Sequence, residues 1–208
     1  MKSQISDLSE MIAELQGKLE VEFAKRQAEL RVRLEKGKVV FDAEIRQRHR
    51  ELRVGFWQFM ARTRPQVLII APLIYSLIVP LVLLDLFVSI YHAVCFPLYG
   101  ITKVKRSEHL VFDRHHLAYL NTLQKFNCIY CSYANGLISF VREVSGRTEQ
   151  YWCPIKHARR VAGVHANYVN FSDFGDGESY HEEAAKLREE LRKNATAVRS
   201  TARPNTRK

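Results

Sequence analysis

The sequence contains nothing that resembles a Ser–His–Asp set, a phosphate-binding loop or a dinucleotide fingerprint. No internal repeat is visible, and no signature of a nucleic-acid-binding module appears. An apolar stretch after Met1 is also lacking, so no cleavable signal is expected. The most informative lack is of charge: from Pro65 to Thr102 the only charged residue is Asp85.

A straight helix over that segment would reach about 55 Å, whereas a hydrocarbon core is about 30 Å thick. The segment is therefore too long for one simple span and marginal for two. Pro72, Pro80 and Pro97 punctuate it. Two layouts fit. One is a single span from Val67 to Ile90, with Tyr91 to Ile101 in the far interface. The other is a hairpin turning near Pro80. Bases lie on both sides: Arg46, Arg48, Arg50, Arg53, Arg62 and Arg64 before it, and Lys103, Lys105, Arg106 and Arg114 after it. Basic residues on both flanks favour both flanks being cytoplasmic, and hence the hairpin. Asp85 is costly in lipid. It is expected to pair with a base or to sit at a turn or helix contact; a proton relay with His92 is the sharper alternative.

The 208 residues suffice for one modest domain with extensions. A formal net charge of +10 draws the chain to anionic surfaces. With a membrane segment present, the bilayer and its anionic headgroups are the expected partners, and nucleic acid is not. Phe56, Trp57 and Phe59 interleave with the bases before the segment, which suits a headgroup interface.

Residues 1–60 read as helix, weakened locally by Gly17, Gly37 and Gly55. Ile5, Leu8, Ile12, Leu15 and Leu19 alternate by three and four, and the pattern then slips to Phe23, Leu30 and Leu34. Such a seam is either a solvated amphipathic helix on its own domain or a coiled coil joining copies of the chain through residues 5–34.

Beyond the segment, residues 108–165 predict three short helices. Asp113 caps the first, over Leu117, Leu120 and Leu123. The second shows Ala134, Leu137, Ile138, Val141 and Val144 on one face and ends at Ser145-Gly146; Thr148 caps the third. Residues 167–178 form an aromatic loop, a charged helix follows over 179–193, and the basic end reads as disordered.

The four cysteines carry the one chemical constellation. Cys95 lies in the apolar segment, while Cys128, Cys131, Cys153 and His157 spell CxxC…CxxxH. A CxxC bites one ion from a turn, and residues four apart on a helix share a face. Three thiolates with one imidazole form a closed tetrahedral zinc set that would staple a small domain. An iron or iron–sulfur centre, a thiol–disulfide pair and plain buried thiols are the alternatives. A closed set leaves no coordination position open, which favours a role other than catalysis. A close CxxC also favours a reducing compartment. His109, His115 and His116, with Glu108 and Asp113, read as surface or interface groups, with a second site as the alternative.

The expected molecule is thus mainly α-helical. It has a helical, coiled-coil-like arm (residues 1–64), a membrane-embedded segment (65–102), a helical metal-binding domain on the cytoplasmic side (103–165) and a loop, charged helix and basic tail (166–208). The expected function is that of a membrane-anchored, zinc-binding scaffold or interaction protein with a protein partner. A membrane-bound iron or iron–sulfur redox protein is the alternative.

Overall fold

A computed structural model describes residues 2–29, 32–35 and 38–201, and the chain is mainly helical. It divides into two compact units. One comprises Met1–Thr63 with Asp113–Cys128, the other Arg64–Phe112 with Ile129–Lys208.

In the first unit, α1 spans Lys2–Glu29. Helix does not continue to residue 60. Strands β1 (Val32–Glu35) and β2 (Lys38–Phe41) pair antiparallel, with Val32 opposite Phe41 and Glu35 opposite Lys38. Val32, Val39 and Val40 are β-branched and prefer a pleated backbone to a helix. Two such runs separated by two residues have hairpin spacing, which the mixed charges of this stretch concealed. Helices α2 (Ala43–Glu51) and α3 (Phe56–Arg62) complete the arm. His49 makes edge contacts with the rings of Phe41 and Tyr119, at centroid distances of 5.3 and 5.2 Å. Along α1 the seam residues Leu8, Ile12, Leu15 and Leu19 remain 55–58% exposed among the described residues. The side chains of Ile5, Leu30 and Leu34 lie outside the described residues, although the backbone at Leu34 belongs to β1.

In the second unit, α4 (Pro65–Ser76) and α5 (Ile78–Tyr99) follow one another with only Leu77 between them, itself in helical conformation. The chain does not reverse at Pro80. That residue sits in the first turn of α5, where a missing N–H is tolerated. The long helix α7 demonstrates the extended course. The Tyr130 hydroxyl donates to the Ile74 carbonyl at 2.7 Å, and the Tyr151 ring stacks on Tyr99 at 5.1 Å. Those two points on α7 are about 31 Å apart, so residues 74–99 run alongside it without folding back. Gly100, at φ 69°, ends α5 in the left-handed conformation that glycine adopts without steric cost.

Residues 101–112, including the single turn α6 (Arg106–His109), then return along the α5–α7 pair. The core gathers Phe96 from α5, Ile101 and Val104 from the return segment, Leu137, Phe140 and Val144 from α7, and Leu191 from α8 (Tyr180–Thr201). Helix α8 extends past the expected end at residue 193, so the disorder expected of the tail does not hold through Thr201; residues 202–208 lie outside the described residues.

Of the three short helices expected between 108 and 165, the first is absent apart from a 3-10 turn at Arg114–His116, and the other two are parts of one helix, α7, spanning Thr122–Trp152. Asn121 starts it, not Asp113. The Gln124 N–H donates to Asn121 Oδ1, and the Asn121 N–H donates to Gln124 Oε1, both at 2.9 Å. This reciprocal pair satisfies two backbone donors that the helix start leaves over. Neither Gly136 nor Gly146 terminates α7. A Cβ on Gly136 would lie 2.8 Å from the His109 carbonyl oxygen, and one on Gly146 would lie 2.6 Å from the His165 ring. These glycines serve close approach, a demand that sequence spacing alone does not distinguish from a helix stop.

Candidate functional site

Asp85, the lone acid of the apolar segment, is the centre of a polar cluster. Arg106 donates from Nη1 to Oδ1 and from Nη2 to Oδ2, both at 2.5 Å, in a forked arrangement that matches guanidinium to carboxylate. Tyr133 on α7 donates its hydroxyl to Oδ2 at 2.9 Å, and Ser89, one turn along α5, donates to Oδ1 at 3.1 Å. The Asp85 side chain is 16% exposed and Arg106 is 42% exposed. Asp85 is therefore an acid paired with a base at a helix contact. His92, the other candidate for a relay, instead accepts the Val104 N–H at Nε2, 2.9 Å away. Both interactions tie the return segment to α5. Burial, and then the hydrogen bond to the Asp85 carboxylate, push the Tyr133 phenol above its ordinary range.

These contacts divide α5 into two faces. Asp85, Ser89, His92, Phe96 and Tyr99 turn toward the rest of the unit. The other face is entirely apolar and exposed. Val79, Leu83, Phe87, Ile90, Val94 and Leu98 recur every three or four residues along it and are 51–77% exposed. The outward face of α7 is mixed: Asn135, Ser139, Arg142 and Ser145 are exposed along its middle together with Cys131 and Ile138, and Phe126, Ile129 and Trp152 are exposed toward its ends.

The cysteines are not brought together. Cys131 and Cys153 stand 22 positions apart, one within α7 and one immediately past its end, a separation of about 33 Å along the helix. No single ion spans that distance, so the four-ligand set of Cys128, Cys131, Cys153 and His157 is incompatible with this helix. The CxxC lies within helix rather than at a turn. Cys153 and His157 share no helix either. Past Trp152 the chain becomes extended, with Ile155 in a parallel bridge to Ser172, and the His157 N–H donates to the Tyr168 hydroxyl at 2.6 Å. All four cysteines are free thiols, those of Cys131 and Cys153 exposed. Among the described residues no group of three or more His, Cys, Asp or Glu side chains converges as metal ligands would.

The histidines have separate local partners. His109 Nδ1 and the Ser139 hydroxyl are 2.8 Å apart, and the His115 and His116 rings lie 3.9 Å apart in a short 3-10 turn of the other unit. His165, isolated in the sequence and given no functional weight there, pairs its Nε2 with Glu149 at 3.0 Å and holds the 153–177 loop against Gly146. The partners of Asp85 were also missed. A lone acid in an apolar run calls for a base, but four bases follow the segment closely, and only folding selects Arg106.

Among the described residues one helical stretch, Pro65–Tyr99, is long and apolar enough to cross a membrane. No protein-family model, curated protein or solved structure matches the chain.

Proposed function

We propose that this chain is a membrane-anchored interaction protein, with α4 and α5 as the anchor and α1 as an arm that engages a second copy of the chain or another protein. The reading rests on one observation: the exposed face of the 22-residue α5 is wholly apolar, while its polar residues turn inward. A helix in water carries the reverse pattern. Supporting it are the net charge of +10, which suits anionic headgroups, and the exposed seam of α1, which suits pairing with another helix. Free exposed thiols fit a reducing, cytoplasmic setting for the domain that carries them. A zinc or iron–sulfur centre is not part of this proposal, because α7 keeps Cys131 and Cys153 apart.

Flotation of the purified full chain with vesicles of phosphatidylcholine and phosphatidylglycerol tests the anchor. Co-flotation that survives high salt and alkaline carbonate is expected; a chain that stays at the bottom of the gradient without detergent would overturn it. Light scattering tests the arm. A dimer or higher oligomer that dissociates on Leu8→Asp with Leu15→Asp is expected, and a wild-type monomer would exclude self-pairing.

A further inference from the structure

We infer that α5 lies in the plane of the membrane, buried in one leaflet, rather than crossing the bilayer. The inference rests on the anchor reading above and specifies how the anchor is disposed. Hydrogen bonds fix where polar groups sit along α5. Arg106 is level with Asp85 and Ser89, and the Val104 N–H is level with His92. The return segment therefore carries the exposed Lys105–Glu108 ion pair, N to O 3.1 Å, beside the middle of α5. On α7, Tyr133 is level with Asp85, and Thr148 contacts the Tyr91 hydroxyl at 3.0 Å. The exposed Arg142 falls between these two levels. If α5 crossed a bilayer, Lys105, Glu108 and Arg142 would sit at hydrocarbon depth on the outside of the unit, where charged side chains are rarely found.

Turning the helix into the membrane plane removes every one of these conflicts. The apolar face of α5 then enters the acyl region, the outer face of α7 meets water, and the exposed Lys103 and Lys105 of the return segment lie near anionic headgroups.

Depth measurement decides the matter. Spin labels are placed singly at Val79, Leu83, Phe87, Ile90, Val94 and Leu98 in the full chain, its four cysteines replaced, bound to phosphatidylcholine–phosphatidylglycerol vesicles. An in-plane helix gives one common depth, about 5–10 Å below the headgroup boundary. A profile that deepens toward Phe87 and Ile90 and rises again at both ends would overturn the inference and restore a span. Water-like accessibility at all six positions would overturn the anchor reading itself. If replacing the cysteines prevents folding, single tryptophans at the same positions, in a chain carrying Trp57→Phe and Trp152→Phe, read the same depths through quenching by brominated lipids.

Discussion

Helix α5 and the part of α7 from Ile129 onward lie side by side in one unit, yet polar and charged residues appear only on the outward face of α7. Along α5 every exposed position is apolar; along α7 the outer positions include Asn135, Arg142 and Ser145. Their inner faces are alike, sharing the core of Phe96, Leu137, Phe140 and Val144 and the polar link from Asp85 to Tyr133. Packing against each other thus explains the inner halves of both helices and neither outer half. Water accounts for the outer half of α7. An apolar environment is needed for that of α5, because burying a large aliphatic side chain is favourable by about 1.5–3 kcal/mol relative to leaving it exposed.

Charging the two outer faces tests this contrast most severely. Leu83→Asp with Ile90→Asp touches no packed contact, so the fold should survive. Each acid costs about 2.5–3.5 kcal/mol at the centre of the hydrocarbon and less near the headgroups. The vesicle-bound fraction should fall by about two orders of magnitude in flotation. The matching pair on α7, Asn135→Asp with Ser145→Asp, should leave flotation unchanged, and an equal loss from both pairs would erase the distinction between the helices.

The inner link is the next target. Arg106→Ala leaves Asp85 without its base and should destabilise the unit by about 1–3 kcal/mol, less than for a fully buried pair because the guanidinium is partly in water. Denaturation in detergent measures this, and adding Asp85→Asn should recover much of the loss, since the uncompensated charge is then gone.

Close packing is probed by glycine. Gly136→Ala forces a methyl against the His109 carbonyl at 2.8 Å and should cost about 1–3 kcal/mol. Gly17→Ala on α1, where nothing lies within 4 Å, should instead gain about 0.5–1 kcal/mol of helix stability. Thermal unfolding of the two variants should therefore shift in opposite directions.

A pH-dependent effect concerns Tyr133. Its phenol is raised in the folded chain, so its contribution is present in full below the free phenol value of about 10 and is lost as pH rises through the higher folded value. Tyr133→Phe should cost about 1 kcal/mol at neutral pH and flatten the loss of stability above pH 10. A steep alkaline loss that persists in the variant would assign it to other groups.

By itself the sequence determined the chain's chemistry by segment: the amphipathic helix that opens the arm, the long apolar stretch, its basic flanks and the isolation of Asp85. These follow from local composition and period, which need no partner to be read. Tertiary structure alone decided four further matters. It made one helix of Thr122–Trp152, because Gly136 and Gly146 are used for close approach rather than as stops. That helix separated Cys131 from Cys153, since spacing in sequence becomes distance only once the intervening conformation is known. It selected Arg106 among neighbouring bases as the partner of Asp85. It also divided α5 into an inner polar face and an outer apolar one: the positions that face inward are fixed by what packs there, through contacts with Val104, Arg106 and Tyr133 that lie 12, 21 and 48 residues further along the chain.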